Sequence, residues 1–318
     1  MAIRLLRILM KKNDVRDAYR ALLRRDPESD QIVKKQIAEH KNLQSLLTAI
    51  VGSPEFRSQS GSIGVDQLGL SNGRIEVEVD AVTLATLLRR TTEQWTALGE
   101  KDPYWSVLSD EKFRIESFET HSQSFWDSGV FVLNELDDVI NQHSISVNYG
   151  TVVELGCGVG RLTRFLAERF EHTIALDISP GNLEICRAET RTTKGSVEPT
   201  LIQNPQELEK LPHFDLFVSY IVLQHNPPPI QYFVLNSALK LLRPGGLAMF
   251  QVPTMGMNYE FVVKNYLSEK AAEMDMHVLP FSAIFKIFKQ NDLTCIDIKH
   301  DFQAGPAMLS NTFVAIKN

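Results

Sequence analysis

The segment VVELGCGVGRLT, residues 152–163, constrains the fold of this chain more than any other feature. Three glycines, Gly156, Gly158 and Gly160, follow an apolar run rich in β-branched residues and stand where a helix is predicted to begin. Glycines at such a place let the backbone turn sharply and let a ligand approach closely, with free N–H groups pointing at the ligand. The order of strand, glycine turn and helix predicts the first unit of a parallel α/β sheet.

The residues after this motif continue the alternation of apolar runs and helical periodicity. The predicted parallel strands are 151–155, 173–178, 199–202, 214–219 and 247–252. Two last strands, 293–299 and 312–317, follow with no helix between them, which predicts an antiparallel hairpin added to the sheet. The turn Arg243-Pro244-Gly245-Gly246 is predicted to end the helix before the fifth strand.

The N-terminal part carries helical periodicity only. Two apolar stripes predict helices there, Val15, Ala18, Tyr19, Leu22 and Leu23, then Leu43, Leu46, Leu47, Ile50 and Val51. Gly52 is predicted to end the second helix, and Ser53-Pro54 to begin another. Residues 59–74 are rich in glycine and serine and are predicted to form a linker.

Two more helices are predicted at 80–98 and 123–143, the second with Phe131, Val132, Leu136, Val139 and Ile140 on its apolar face. The segment 95–113 between them is rich in aromatic residues, with Trp95, Tyr104, Trp105 and Phe113. It is interpreted either as a packed lead-in to the next domain or as a lid over a substrate pocket.

Charge divides the chain of 318 residues into three blocks. Residues 1–60 have a net charge of +5, residues 61–145 of −9 and residues 146–318 of −2. We therefore expect a helical module at 1–60, a linker with a helical lead-in or lid at 61–145, and an α/β domain at 146–318. The net charge of −6 makes duplex nucleic acid an unfavourable partner, since its binding depends on neutralising phosphates.

The number and spacing of the cysteines indicate the cellular compartment of the protein. Cys157, Cys186 and Cys295 lie far apart with no CxxC spacing, which excludes a zinc ribbon and favours a reducing compartment. No apolar run reaches the roughly 18 residues of a membrane span. The basic and apolar N-terminus has no small-residue cleavage site after it, so we expect a cytoplasmic protein.

The residues around the glycines indicate what kind of ligand binds. A dinucleotide fingerprint needs a last glycine or alanine where this sequence has Arg161 or Thr163. Glu154 would repel a pyrophosphate but suits a ligand with a positive amino group and a sulfonium. Asp177, at the end of the next strand, can accept both hydroxyls of a ribose.

Together with FDLFVSYIVLQHNPPP and LLRPGGLAMFQVP, these motifs resemble the class I S-adenosylmethionine-dependent methyltransferases over about residues 120–318. The resemblance implies a Rossmann-like seven-stranded, mostly parallel sheet with a C-terminal antiparallel hairpin, preceded here by a small all-α domain. It also implies S-adenosyl-L-methionine as cofactor. The pieces VRDAYRALLRRDPES and LQSLLTAIVGSPEF resemble a helical domain of unknown function similar to phycobilisome linkers, which implies a docking module with a possible protein partner.

The same resemblance implies a role for each matching residue. Glu154 would bind the methionine amino group, and the backbone of Gly156, Cys157, Gly158 and Gly160 would line the methionine moiety. The remaining cofactor-binding candidates are Asp177 for the ribose, Ile178 and Asn204 for the adenine, and Tyr220 at the end of the fourth strand.

A hydroxyl acceptor needs a proton acceptor near neutral pH. His225 is the first candidate, because it follows the fourth strand on the side where open α/β sheets bind ligands. His277 is the second, in the excursion between the fifth and sixth strands. Tyr220, Tyr259 and His121 are weaker candidates, and for His225 a helix-start or packing role is the alternative.

Three functions remain open at this stage. The first is O-methylation of a small molecule or of a sugar in a glycan or its precursor. The second is N-methylation of a small molecule or a protein, and the third is an inactive scaffold that only binds the cofactor. Methylation of nucleic-acid amino groups is disfavoured, because Asn226-Pro227-Pro228-Pro229 lacks the stacking aromatic of the NPPY-type motif.

Overall fold

The computed structural model describes residues 11–23, 25–40, 46, 49–50, 53, 55, 72–270, 274–305 and 307–318. The chain forms two compact units, Met1–Gly69 and Leu70–Asn318. Helices α1 (Lys12–Leu23) and α2 (Asp30–Glu39) belong to the first unit. The second unit contains nine strands and eight further helices among the described residues.

The first unit has a small apolar core of its own. Val15, Ala18, Tyr19 and Leu23 on α1 are buried with Val33 on α2 and with Leu46 and Ile50. The Arg16 guanidinium lies 2.7 Å from the Asp30 carboxylate, which joins the two helices at the surface. The predicted second stripe is confirmed at Leu46 and Ile50, and its other members lie outside the described residues, as do Gly52, Pro54 and residues 59–71.

A seven-stranded sheet forms the centre of the second unit, in the order β4-β3-β2-β5-β6-β9-β8. All neighbouring strands are parallel except β9, which runs antiparallel to both β6 and β8. The strands of this sheet are β2 (Thr151–Leu155), β3 (His172–Asp177), β4 (Ser196–Leu201), β5 (Phe214–Ser219), β6 (Leu242–Gly256), β8 (Leu293–His300) and β9 (Met308–Lys317). This confirms the predicted mostly parallel sheet with an antiparallel C-terminal hairpin.

Helices cover both faces of the sheet, as a parallel sheet requires. They are α3 (Ala81–Lys101), α4 (Pro103–Val107), α5 (Phe118–His143), α6 (Thr163–Arg169), α7 (Pro180–Glu189), α8 (Pro228–Leu239), α9 (Val263–Ser268) and α10 (Phe281–Gln290). One apolar cluster joins α3, α8 and α10 to the sheet, and a second joins α5 and α6 to it. Single turns of 3₁₀ helix stand at Glu111–Phe113 and Leu223–His225, and a longer one at Pro205–Lys210.

Three local predictions differ from the structure. Strand β1 (Asn72–Ile75), which begins inside the predicted linker, pairs in parallel with β7 (Tyr259–Phe261). Phe131, predicted on the buried face of α5, is 52% exposed because the helix turns this position away from the sheet. The segment 243–246 does not end α8 but belongs to β6, where the pairing with β5 is irregular.

The aromatic segment 95–113 is mostly helical, since it contains the end of α3, the whole of α4 and the 3₁₀ turn at Glu111–Phe113. Tyr104 stacks on Phe118 with ring centroids 3.4 Å apart, and Phe113 is buried against Phe125. No helix among the described residues combines the length and the apolar composition needed to cross a bilayer.

Candidate functional site

A cavity opens at the carboxyl ends of β2, β3 and β5, where the strand order reverses. Open α/β sheets bind ligands at such a reversal. The space amounts to about 1090 Å³ when the open solvent at its mouth is included. Its walls come from the turn after β2, the loops after β3 and β5, and the helices α3 and α4.

The glycine turn, residues 156–160, forms the floor beside β2. Gly156 and Gly158 have φ angles of +74° and +54°, which favour glycine. A Cβ on Gly156 would lie 2.4 Å from Val222, and one on Gly158 would lie 2.5 Å from Val107. The absence of a Cβ at these two positions therefore lets Val222 and Val107 pack directly against the turn.

The N–H groups of Gly156, Cys157, Gly158 and Gly160 in this turn are already bonded within the protein, whereas free N–H groups were expected. Those of Gly156 and Cys157 donate to the Leu176 carbonyl at 2.7 and 3.0 Å. That of Gly158 donates to the Asp177 carboxylate at 2.8 Å. The first two bonds attach the turn to the end of β3, so the turn offers space to a ligand more than it offers donors.

Gly160 and Cys157 serve the packing behind the turn. Gly160, with φ of +90°, faces Cys186 on α7 and does not line the cavity. Cys157 lines it, but burial raises the pKa of its thiol well above the ordinary value. The thiol therefore stays protonated and is not activated as a nucleophile.

Asp177 lines the cavity at the end of β3. Its two oxygens accept the N–H groups of Gly158 and Ser179, each at 2.8 Å. Burial raises its pKa, while the backbone N–H groups favour the ionised form. Each carboxylate oxygen has two acceptor positions, so each keeps one for a ligand.

Glu154 and Arg161 bring opposite charges to the same cavity. Glu154 is 4% exposed and accepts a hydrogen bond from the Thr163 hydroxyl at 2.7 Å. Burial raises its pKa to about 7. Arg161 is 6% exposed, one of its terminal nitrogens donates to the Ser128 hydroxyl at 3.0 Å, and its Nε has no partner among the described residues. Within the described part of the chain neither residue forms an ion pair.

His225 lines the cavity from the loop after β5 and is 8% exposed. Its Nδ1 lies 3.0 Å from the Asp275 carbonyl oxygen, and its Nε2 lies 3.2 Å from Nε2 of Gln224. The Trp95 ring of α3 packs on it with centroids 5.1 Å apart. Burial lowers the pKa of His225, so the ring is neutral at pH 7.

Of the remaining candidates, Ile178 and Tyr220 line the cavity, whereas Asn204 and His277 do not. The exposed Asn204 side chain donates to Glu207 at 2.8 Å, and the apolar side chains of Ile202 and Leu208 line the cavity in its place. The Tyr220 hydroxyl donates to the buried Glu135 at 3.4 Å, and burial raises the pKa of Tyr220.

His277 is buried in an aromatic surrounding outside the cavity lining. Its Nδ1 lies 3.0 Å from the Tyr259 hydroxyl, and the rings of Phe261 and Tyr266 pack around it. Burial lowers its pKa to about 3, which suits a packed neutral ring. His121 is exposed on α5 and also lies outside the lining.

Sequence reasoning missed Arg161, Gln224 and Gln251. Arg161 directly follows the last glycine of the turn, where a charged side chain must enter the domain interior. Gln251 is the single amide in the apolar run 247–252 and is fully buried. An amide within an apolar strand of a parallel sheet was therefore the sequence feature that could have identified Gln251.

Comparison with known proteins gives the family. The profile described as "Methyltransferase domain" matches residues 152–246. A ubiquinone biosynthesis O-methyltransferase of Vibrio cholerae is 30% identical over 174 residues, 52% of this chain and 67% of that protein. The protein of the same name in Hydrogenovibrio crunogenus is 27% identical over 173 residues, 52% of this chain and 68% of its own length.

Solved structures are also similar. A magnesium protoporphyrin IX methyltransferase of Synechocystis with bound S-adenosylhomocysteine aligns over 74% of this chain and all of its own, with a TM-score of 0.48 and 16% identity. The 1,6-didemethyltoxoflavin-N1-methyltransferase of Burkholderia thailandensis aligns over 77% of this chain and 94% of its own, with a TM-score of 0.47 and 14% identity. The matched domain and the relatives in sequence agree, and the chain belongs to the S-adenosylmethionine-dependent methyltransferases.

Proposed function

We propose that this enzyme methylates a hydroxyl oxygen of a small molecule or of a sugar in a glycan precursor, with His225 as the proton acceptor. The observation that carries the proposal is that the neutral, buried His225 lines the same cavity as Glu154 and Asp177. The relatives named O-methyltransferases support transfer to oxygen. The sugar in the proposal rests on resemblance alone, because FDLFVSYIVLQHNPPP and LLRPGGLAMFQVP are similar to segments of class members that act on small molecules or glycans.

The residues of the cavity suit S-adenosyl-L-methionine. Asp177 keeps one acceptor position on each oxygen for the two ribose hydroxyls, and Ile178, Ile202 and Leu208 offer apolar surface to an adenine. The buried acid Glu154 and the buried guanidinium of Arg161 suit an amino group and a carboxylate on one ligand. A buried charge is costly without a partner, and a zwitterion would supply one to each.

When bound, the cofactor supplies a methyl group on a positively charged sulfur, and the bonding pair of the broken C–S bond stays on that sulfur. The protein has to hold the acceptor oxygen in line with this bond, which contributes on the order of 7–11 kcal/mol in favourable cases. The acceptor proton passes to Nε2 of His225 as the oxygen gains the methyl group. A base of this kind typically contributes about 10²–10⁴-fold to the rate.

A second candidate is transfer to nitrogen, and one observation favours it. Nε2 of His225 already lies within hydrogen-bonding distance of the Gln224 amide. An amine acceptor carries a lone pair of its own and needs less help from a base. The scaffold hypothesis is the third candidate, and it requires that no methyl group is transferred to any acceptor.

Turnover with methyl-¹³C-labelled cofactor and matched hydroxyl and amine acceptors tests these alternatives. We expect a labelled methyl ether, and His225→Ala should lower kcat at least 100-fold while leaving the Kd of S-adenosylhomocysteine within twofold. In the wild type, kcat should fall with acid only below pH 6.5, because burial lowers the pKa of His225. His143→Ala, at the exposed end of α5, is the matched control.

The outcomes separate the candidates. A labelled N-methyl product, with wild-type kcat in His225→Ala, would replace the proposal by amine methylation. Tight binding of S-adenosylhomocysteine without any labelled product would favour the scaffold.

We also propose that residues 1–60 dock a protein partner, and that the enzyme acts in the cytoplasm. The separate helical core of the first unit supports the docking role. The free thiols of Cys157, Cys186 and Cys295 support a reducing compartment such as the cytoplasm. Cross-linking of the full chain in its own cells should attach the partner to residues 11–55. Cross-links confined to residues 72–318 would contradict the docking role.

A further inference from the structure

Four consecutive hydrogen bonds lead from the backbone of Ile221 to the backbone of Asp275. The Ile221 N–H lies 3.1 Å from Oε1 of Gln251, and Nε2 of Gln251 lies 2.9 Å from Oε1 of Gln224. Nε2 of Gln224 then lies 3.2 Å from Nε2 of His225, whose Nδ1 lies 3.0 Å from the Asp275 carbonyl oxygen. We call this series the relay.

The two backbone ends of the relay fix its direction. A backbone N–H can only donate, so Gln251 must present its oxygen to Ile221 and its amide nitrogen to Gln224. Gln224 must then present its oxygen to Gln251 and its amide nitrogen to His225.

The other end gives the same answer independently. A carbonyl oxygen can only accept, so Nδ1 of His225 carries a hydrogen and donates it to Asp275. In a neutral ring Nε2 then holds the lone pair and accepts from Gln224. Flipping either amide would place a donor against a donor or an acceptor against an acceptor.

Burial preserves this arrangement. Gln251 is fully buried and Gln224 is 1% exposed, so water does not replace a lost bond. Gln251 also donates to the Ser310 hydroxyl at 2.6 Å, which anchors its amide to β9.

We propose that Gln251 is a positioning residue that, through Gln224, keeps the lone pair of His225 on Nε2. The proposal rests on the proposed function, in which Nε2 takes the acceptor proton. The incoming hydroxyl would replace the Gln224 amide as the donor to Nε2. After transfer, the new N–H on Nε2 would face the Gln224 amide donor, so the relay favours return of the ring to its neutral form.

Few charged groups bear on His225. Asp275 on one side favours the imidazolium, and the neighbouring His277 is itself neutral, with burial lowering its pKa to about 3. Trp95, packed on the ring, carries no charge. Besides burial and Asp275, the amide of Gln224 is therefore the polar group that bears on the protonation of His225 at Nε2.

Gln251→Glu tests the inference, because it keeps the acceptor for Ile221 but places a second acceptor against Gln224. The Gln224 amide should rotate, present its oxygen to His225 and so favour a ring protonated on both nitrogens. In ¹⁵N spectra of histidine-labelled protein, assigned with His225→Asn, wild-type His225 should show the Nδ1–H tautomer. In Gln251→Glu its pKa should rise by at least one unit, a tenfold change in the acid dissociation constant, and the acid limb of kcat/KM should move with it.

Making Gln251→Glu in a protein that also carries Gln224→Leu separates the effect of the relay from direct charge attraction between the new carboxylate and His225. Leucine cuts the relay, so Gln251→Glu should then leave the pKa of His225 within about 0.3 units of that in Gln224→Leu alone. An equal rise in both backgrounds would overturn the inference, as would an Nε2–H tautomer in the wild type, which needs no variant to fold. A wild-type rate in His225→Ala would instead refute the proposed base and leave the tautomer result standing.

Discussion

At the scale of single residues, the cavity combines groups that face different parts of one ligand. Asp177 keeps acceptor capacity beside the backbone bonds that orient it, and Arg161 keeps a donor, Nε, that the described residues do not use. Ile221, in the cavity wall, has a φ of +60°, which is strained for a β-branched residue at a cost of about 1–3 kcal/mol. The Gln251 bond to its N–H helps to hold this conformation.

The proposed roles of Asp177 and Arg161 predict different losses of binding. Asp177→Ala should weaken S-adenosylhomocysteine and adenosine alike, at least tenfold, because both ligands carry the ribose. Arg161→Gln should weaken S-adenosylhomocysteine at least tenfold and leave adenosine unchanged, because adenosine has no carboxylate. Calorimetry on the two variants and two ligands measures all four affinities.

Arg243→Gln is the control for these variants, since the exposed Arg243 side chain pairs with the buried Asp215 and both residues lie outside the cavity lining. Unchanged affinity of Asp177→Ala for adenosine would remove the ribose role. An equal loss of both ligands in Arg161→Gln would indicate a general disturbance of the cavity rather than recognition of a carboxylate.

At the scale of elements, α5 is placed by close contact with the glycine turn. Gly129 on α5 approaches the backbone after that turn so closely that an added Cβ would lie 2.4 Å from the Arg161 carbonyl oxygen. The Phe165 ring lies 3.0 Å from the same position. Because the nearest obstacle is backbone, a side-chain rotation cannot relieve the contact.

Gly129→Ala should therefore lower the free energy of unfolding by about 1–3 kcal/mol, despite the higher helix propensity of alanine. Gly181→Ala on α7 is the matched control, because a Cβ there meets nothing within 4 Å. It should be neutral or stabilising by roughly 0.4–1 kcal/mol. Chemical denaturation of both variants measures the difference, and equal stabilities would contradict the close contact of α5.

Prediction from the sequence succeeded where periodicity and local chemistry decide the structure. The bounds of β2 and β5 were predicted to the residue, since both are apolar runs between clear turn signals. Strands β1 and β7 were missed because each is short and acquires its partner only through the fold.

The same limit applies at the site. Glu154, Asp177 and His225 reach one cavity because strand ends in a parallel sheet meet at one edge. Most hydrogen bonds of the glycine turn, and most of those in the relay, join residues far apart in the chain. No local sequence pattern predicts such pairings. Asn204 was expected at the adenine from its position, but its bond to Glu207 holds it outside.

At the scale of the whole molecule, the described residues of the cavity all belong to the second unit. The described residues that line the cavity lie between Leu88 and Val234, within Leu70–Asn318. The first unit has a separate core, so the proposed methyl transfer and the proposed docking use different parts of the chain.

A chain shortened to residues 70–318 should therefore unfold cooperatively and bind S-adenosylhomocysteine with a Kd within twofold of the full-length value. Circular dichroism melting and calorimetry check the two statements. A tenfold loss of affinity on removal of residues 1–69 would show that the first unit contributes to the cofactor site.

The interior position of β9 has a consequence for synthesis. This last strand of the described chain lies between β6 and β8, and Phe313 on it is fully buried against Phe250 of β6. At about 5–20 residues per second, several seconds separate the translation of β6 from that of β9. During that interval β6 has no partner on the side that β9 later covers, so its open edge and the apolar surface around Phe250 stay exposed.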